Sequence, residues 1–558
     1  MSEIPTPWLS SLEGVRATAL DYDSISTFEF VKRRATNEPN DPFVIFPKGK
    51  VLSYSSVLES VKRLATKLVE MGIKPGDRVA LMLPNVPHYV IGHYAVLSIG
   101  AVIVQTNPIY TLRELRHILK DSGARGVITI AMFQENVAKL MDETDLEFAI
   151  IGHISDYLKP IVAFLGKLLK KIDDPKMMSN PKFHLWKDVL KLGDPSNFKE
   201  HQINMDDLAI LQYTGGTTGL SKGAMLTHKN ISYNAQQARA LIPMVPDKTG
   251  SILTALPMFH SFGLTVCLAN AVQLGIPVVL LAKFAAADAL SLIEKYKITF
   301  FPAVPTMAVA LLNHPNFDKT DFSSLIAVFS GGAPLPFEVA QEWKERTGSD
   351  LVEGYGLSET SPVAYCQPIK SDKLKPRDKS IGLPAADTQI KITDTDDYSK
   401  LMPLGQPGEI CIKGPQVMIG YWGNEEASNQ ALKDGWLLTG DIGYIDEDGF
   451  AYIVDRKKDL IIVSGNNVVP REVEEVLYEH PAVLEAAVAG LNHPSKGEIV
   501  AAWVVLKEGQ SATEDDILAF CKENLAPYKI PKQVTFRDEL PKSMIGKILR
   551  RKLLEPDS

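Results

Sequence analysis

Residues 213–230 read YTGGTTGLSKGAMLTHKN, a run holding four glycines, four threonines, one serine and two lysines. That mixture suits an anion: glycines let backbone N–H groups approach a ligand closely, hydroxyls donate, and an ammonium supplies charge. The Walker phosphate loop, Gly-x4-Gly-Lys-Ser/Thr, with Lys222 as its lysine, needs glycine at 216 and 221 and a hydroxyl residue at 223. The chain has Gly216, but Ser221 and Gly223 stand at the other two positions. The loop therefore serves a phosphate chemistry other than that of Walker kinases and GTPases.

Five further stretches combine glycine with carboxylates, hydroxyls or basic side chains: SGGAPLP at 330–336, EGYGLSET at 353–360, WLLTGD at 436–441, DRKKDLIIVSG at 455–465 and LPKSMIGKILRRK at 540–552. In this order, together with the glycine loop, they resemble the adenylate-forming superfamily of acyl-CoA synthetases, luciferases and peptide-synthetase adenylation domains. The resemblance runs from about residue 30 to 552. Phrases such as FFPAVPT at 300–306, EGYGL at 353–357, GPQVM at 414–418 with GYW at 420–422, and FRDELPKS at 536–543 are most similar to the long-chain fatty acid CoA ligases.

The resemblance implies two half-reactions in one pocket. A carboxylate attacks the α-phosphorus of Mg-ATP to give acyl-AMP and pyrophosphate, and the thiol of CoA then displaces AMP. ATP, Mg²⁺ and CoA are the implied cofactor and co-substrates. In the first step an anion must approach a polyanion, and preorganised positive charge at the α-phosphate is the remedy. By resemblance, Lys547 is the adenylation lysine, bridging the carboxylate and an α-phosphate oxygen. Thr214, Gly215, Gly216, Thr217, Thr218, Gly219 and Lys222 form the loop that holds the β- and γ-phosphates; Ser221 stands where many relatives have proline.

Glu359 matches the magnesium-binding glutamate, in keeping with the preference of Mg²⁺ for few carboxylates plus phosphate oxygens. Ser358, at a position more often threonine, keeps a hydroxyl for the α-phosphate. Gly331, Gly332, Gly354, Tyr355 and Gly356 are expected to shape an adenine slot, where a flat base needs an aromatic face and bare backbone. Asp441 and Arg456 match the ribose-binding pair, a carboxylate accepting from both hydroxyls of the diol. Lys458 matches the hinge about which the C-terminal domain rotates between half-reactions, bringing the strand around Gly465 against the pantetheine of CoA. His260, in LPMFHSFGL, is expected beside the carboxylate at the mouth of the acyl pocket.

The elements that must position these groups are legible from periodicity. Val57, Val61, Leu64 and Leu68 fall at helical spacing, RVALMLPN reads as a buried strand, and further strands are expected near 102–106 and 126–130 with helices from about 86 and over 111–120. Alternation of this kind argues a parallel sheet with covering helices. It resumes after 206, with a strand ending in LQYT, the glycine loop, a helix from about His228 and a strand at SILTAL, continuing to about 355. Beyond about 380, short strands and turn signals such as residues 446–449 suggest antiparallel structure. A helix near 470–480, strands near 484–490 and 499–506 and a helix near 514–524 complete the tail.

The expected fold class is thus α/β: a large N-terminal domain of parallel-sheet-rich subdomains plus a small β-barrel-like part, then a small mobile α+β C-terminal domain. The boundary is placed at DRKKD, 455–459. It divides an ATP- and acyl-binding domain over 1–455 from a C-terminal domain over 456–558 that carries the adenylation lysine.

At 558 residues the chain exceeds what one core supports, in keeping with two domains. Its formal net charge of -8 points away from nucleic acid. Four scattered cysteines without a CxxC pair read as ordinary reduced thiols. The first residues carry neither a basic nor an apolar signal region, and the last match no retrieval signal, so a cytoplasmic address is the expectation. Residues 89–104 are shorter than the ~20 a membrane span requires, and 264–282 are interrupted by Asn270, Gln273, Gly275 and Pro277; both read as buried core. Residues 157–172, YLKPIVAFLGKLLKKI, place Ile161, Val162, Phe164, Leu165, Leu168, Leu169 and Ile172 on one helical arc and Lys159, Lys167, Lys170 and Lys171 on the other. Such a helix either packs on its own domain with a solvated lysine face or lies on an anionic membrane surface at the inner face of the membrane. The resemblance also makes a homodimer an expectation.

Other classes explain less. A γ-phosphoryl kinase leaves TGD and PKSMIGK without a role, and a non-catalytic acyl- or nucleotide-binding protein has no need of Lys547, Glu359 and Asp441 together. A peptide-synthetase module would carry an adjoining carrier domain. A luciferase-like oxygenase shares every motif, and medium-chain or aryl carboxylates stay open as substrates.

Overall fold

The computed structural model describes residues 4–168, 174–214, 221–456, 459, 461–463, 466–493, 497–542 and 548–554. Two large sheets dominate it. One has seven strands, of which six, from Phe183–Leu185 across to Leu208–Thr214, run parallel, with Lys222–Thr227 antiparallel at the edge. The other has nine; six parallel strands, from Pro42–Ile45 to Asp350–Gly356, are flanked by antiparallel Val51–Ser53 on one side and Val363–Cys366 and Leu383–Pro384 on the other.

Central parallel strands are covered on both faces, which is why Arg78–Met82, Val102–Gln105 and Gly126–Ile130 are near-continuous apolar runs and are buried almost throughout. The helix Pro87–Ser98 is buried at every residue, which explains its lack of an amphipathic pattern. Beside it, Asn85 ties the two sheets at the carboxyl ends of their strands: its side-chain amide donates to the carbonyls of Thr254 and Leu256 at 3.0 and 2.8 Å, and its oxygen accepts from Met258 N–H. Tyr89 adds a hydroxyl bond to the Met258 carbonyl at 2.5 Å. In open α/β sheets the crevice beyond the carboxyl ends is where ligands bind.

A five-stranded antiparallel sheet follows, from Gln389–Thr393 through the ten-residue strand Trp436–Ile445 to Ala451–Arg456. The last sheet, from Ile461–Val463 to Gln533–Phe536, packs on the helices Pro470–Glu479 and Glu514–Asn524 around a core of its own, including Val473, Leu477, Val488 and Val504.

Element by element, the helix expected over 111–120 spans Leu112–Ser122, with Thr111 and Glu114 forming a reciprocal capping box. Two expectations are corrected. The helix expected from about His228 does span His228–Ala240, but a strand, Lys222–Thr227, stands between it and the glycine loop, which therefore joins two antiparallel strands. The helix Pro160–Leu168 does not bury its whole apolar arc: Val162 and Ala163 pack on the main core, whereas Ile161 and Phe164 are each 68% exposed. Leu169, Lys170, Lys171 and Ile172 lie outside the described residues.

Candidate active site

Two of the glycine motifs end neighbouring strands. Ala327–Ser330 and Asp350–Gly356 run parallel, with Ser330 opposite Glu353, so Gly331 and Gly332 emerge beside Gly354, Tyr355 and Gly356. A β-carbon on Gly331 would lie 3.0 Å from the Phe262 ring and 3.3 Å from the Gly354 carbonyl; one on Gly354 would lie 2.0 Å from the Phe329 ring. Gly332 has φ +80, a left-handed conformation that glycine adopts without strain. The slot is therefore walled by backbone and two phenylalanine rings, with Tyr355 half-exposed at its edge.

Asp441 reaches this slot from the antiparallel sheet. It is buried and accepts from the Tyr355 hydroxyl at 2.6 Å, so the expected ribose carboxylate is held against the expected adenine tyrosine. Across the strand pair Asp441 stands opposite Arg456, so the backbone register brings the two ribose candidates together.

The phosphate hairpin is the second component. Thr214 and Lys222 face each other across its base. Residues 215–219 lie outside the described residues, as do Lys458, Gly465 and Lys547. The hairpin is braced by Tyr213, whose hydroxyl donates to Asp121 at 2.6 Å. The chain at 418–422 ties this hairpin to Glu359. Met225 donates to the Gly420 carbonyl, Trp422 donates to the Gly223 carbonyl, and Met418 donates to the Glu359 carbonyl. Glu359 and Ser358 sit on a single 3-10 turn directly after the glycine-rich strand, both half-buried. The Tyr421 hydroxyl donates to Glu359 Oε1 at 2.8 Å, and the Lys222 ammonium lies 5.3 Å from the centre of the Tyr421 ring.

His260 lies one turn before the helical segment Gly263–Ala269, and its Nδ1 accepts from the Phe262 N–H at 3.3 Å. Because Phe262 also walls the glycine slot, the histidine and the slot share one neighbour. Among the described residues no cluster of three or more His, Cys, Asp or Glu could hold a metal ion alone. A lone half-buried carboxylate next to a phosphate loop fits Mg²⁺, which keeps phosphate oxygens and waters as its other donors.

Two residues without a role in the sequence reading belong to this site. Tyr421 could have been found from GYW at 420–422, since an aromatic beside a glycine amid charged motifs is a signal. Glu353 is buried under the slot, where its carboxylate accepts from Leu335 N–H at 3.2 Å; burial pushes its pKa up to about 7, opposed by the nearby Arg471 guanidinium. A carboxylate inside a strand carries no sequence mark of that environment.

Comparison with known proteins accords with this geometry. The model of the AMP-binding enzyme family matches residues 31–422, and that of the AMP-binding enzyme C-terminal domain matches 472–547. A long-chain-fatty-acid CoA ligase of Bacillus subtilis strain 168 is 41% identical over 562 residues, covering 99% of this chain and 98% of the relative. Among solved structures, the anthranilate CoA ligase AuaEII with anthranoyl-AMP superposes with a TM-score of 0.83 at 26% identity, covering 95% of this chain and 96% of its own. ATP-bound MatB from Rhodopseudomonas palustris does so with a TM-score of 0.83 at 29% identity, covering 95% and 98%. With both family models matched in order and a relative aligned end to end, this chain belongs to the AMP-binding enzyme family.

Proposed function

We propose that the protein is an AMP-forming acid-thiol ligase acting on long-chain fatty acids. The observation that carries this reading is the convergence, at the carboxyl ends of two parallel sheets, of a backbone-walled slot, a buried Asp441 on Tyr355, and Glu359 joined through Tyr421 to Lys222. A carboxylate oxygen of the fatty acid attacks the α-phosphorus of ATP; the bond to the bridging oxygen breaks and pyrophosphate leaves. The CoA sulfur, having lost its proton, then attacks the acyl carbon, and the bond to the phosphate oxygen breaks to release AMP and the thioester.

Thr214, the loop 215–219 and Lys222 take the β- and γ-phosphates, and Ser358 donates to the α-phosphate. Glu359 holds Mg²⁺, which when bound neutralises phosphate charge. Asp441 and Arg456 grip the ribose. Two unit charges 4 Å apart interact by about 4 kcal/mol at an effective dielectric near 20, so Lys547 bridging carboxylate and phosphate offsets one such repulsion. His260 stands at the carboxylate end of the acyl pocket. Lys458 is the hinge that exchanges Lys547 for the strand of Gly465. The test is pyrophosphate release with acids from acetate through palmitate and benzoate, with and without CoA. Release peaking at long chains, with acyl-CoA formed only when CoA is present, is expected; a peak at benzoate would reassign the substrate to aryl acids.

No helix among the described residues is long and apolar enough to cross a membrane. We infer peripheral contact with an anionic bilayer through the helix at 160–168. Ile161 and Phe164 project from it, Val51 is 60% exposed nearby, and Lys48, Lys50, Lys159 and Lys295 line the adjoining cleft. The turn between strands Pro42–Ile45 and Val51–Ser53 forms one surface with the helix, because Lys50 N–H donates to the Tyr157 carbonyl at 2.8 Å and Lys159 N–H to that of Lys48 at 3.3 Å. Apolar side chains beside a carboxylate-free lysine cleft complement an anionic interface. Sedimentation with phosphatidylglycerol vesicles should exceed that with phosphatidylcholine and be lost in Phe164→Asp; equal sedimentation with both lipids would sink this contact.

A further inference from the structure

Lys222 and Glu359 carry opposite charges and touch the same tyrosine, yet they form no ion pair with each other. Each is instead a neighbour of the one ring. Lys222 rests on the face of Tyr421, and Glu359 takes its hydroxyl at the edge. We propose that Tyr421 is a positioning residue of the nucleotide site, one ring that holds the phosphate lysine on its face and the metal carboxylate at its hydroxyl. The inference rests on the roles proposed above for Lys222 and Glu359.

The placement of Tyr421 is over-determined. Its backbone N–H donates to Ser428 Oγ at 2.8 Å, it stands opposite Ala224 in an antiparallel bridge, and the Trp422 N–H beside it donates to the Gly223 carbonyl at 2.8 Å. Trp422 anchors the far side, with its indole N–H donating to the Asp121 carbonyl at 3.1 Å and the Arg78 guanidinium 5.6 Å over its ring. Gly420 supplies the positive φ of +144 that lets the chain turn in, and a β-carbon there would press on Ser428 Oγ at 3.0 Å.

Each contact has a separate chemical consequence. A phenol bonded to Oε1 orients the carboxylate that would hold Mg²⁺; such outer partners are worth about 10- to 100-fold in metal affinity. The ring face holds the ammonium by attraction to its negative quadrupole, a contact that binds lysine without neutralising it.

Direct ATP binding, followed by isothermal titration without acid or CoA across Mg²⁺ concentrations, separates the two contacts. Tyr421→Phe keeps the ring and loses the hydroxyl. It should raise the Mg²⁺ needed for half-maximal ATP binding about 10-fold while Mg²⁺-free ATP binding stays within about 2-fold. Tyr421→Leu should weaken ATP binding with and without Mg²⁺. In a Glu359→Gln background Tyr421→Phe should have no further effect on the Mg²⁺ dependence. An unchanged Mg²⁺ requirement in Tyr421→Phe, an equal loss with and without Mg²⁺, or additive effects in the double variant would each overturn the proposal. If wild type itself binds no ATP, the ligase reading fails; if wild type binds and Tyr421→Phe is indifferent, only the positioning role of Tyr421 does.

Discussion

Around the nucleotide slot the contacts are short and enclosed. Tyr355 gives its hydroxyl to buried Asp441 at 2.6 Å, Tyr421 gives its own to Glu359 at 2.8 Å, and phenylalanine rings press on bare glycine backbone. Between that body and the C-terminal one the contacts are of another kind. Arg471 N–H donates to Asp455 at 3.2 Å, the Arg550 guanidinium lies 3.7 Å from the same carboxylate, and Lys379 reaches Glu475 at 3.1 Å with both side chains open to water. Asp455 is itself buried, so its bond from Arg471 is of the enclosed kind, about 1.5–3 kcal/mol, whereas the exposed Lys379–Glu475 pair contributes about 0–1 kcal/mol. The proposed nucleotide grip rests on phenol–carboxylate bonds, and the C-terminal body meets it through charges clustered on buried Asp455, close in sequence to the hinge candidate Lys458. Contacts made by charges suit the role proposed for Lys547, which would enter for one half-reaction and leave for the next.

The sharpest way to break this contrast is to separate grip from chemistry. Lys547→Ala should lower pyrophosphate release by about 10²- to 10³-fold, as loss of one charge-stabilising donor does elsewhere, while ATP affinity by titration changes only a few-fold. A large loss of ATP affinity in that variant would mean that the C-terminal body is part of the grip. Asp441→Ala should do the reverse, weakening ATP binding by about 10- to 100-fold, the equivalent of one charged hydrogen bond. An Asp441→Ala protein with native ATP affinity would remove the ribose assignment.

Glu353 tests the seam between the two bodies, with Arg471, Glu475 and Asp378 as its charged neighbours. Its pKa in the fold, about 7, is above that of an ordinary glutamate, so the folded state binds the extra proton. The stabilisation is complete below the unfolded pKa near 4.5 and is lost as pH rises through about 7. Melting temperatures measured from pH 5 to 8 should therefore fall more steeply for wild type than for Glu353→Gln; parallel curves would show that Glu353 does not titrate there. The smallest effect is expected from Lys379→Ala, which removes an exposed pair and should cost less than about 1 kcal/mol in denaturant unfolding. A larger cost would mean the C-terminal body is held more firmly than its contacts imply.

Much of the fold was legible because its signals are local. The helix at Glu514–Asn524 and the strand at Gly126–Ile130 follow from apolar period and flanking caps or glycines. The strand Lys222–Thr227 was missed because six residues that lean on a neighbouring strand carry little signal of their own, and a glycine loop is more familiar before a helix. The free face of Pro160–Leu168 escaped for a related reason: helical spacing shows which residues share an arc, and only the neighbours decide that Val162 is covered while Phe164 is not. Glu353 offered no local mark at all, since its raised pKa arises from the desolvation that the surrounding strands impose.

The ordered motifs of the sequence pointed to the family and the reaction class by their resemblance to a known superfamily, and the glycines, hydroxyls and carboxylates in them suit phosphate, diol and metal chemistry. Tertiary structure alone decided which of them meet. Asp441 touches Tyr355 across 86 positions of sequence, and Tyr421 meets both Lys222 and Glu359 because a short segment pairs with the edge of the hairpin that carries Lys222. Contacts between residues so far apart in sequence are set by sheet order and register, which depend on the burial of the whole chain at once.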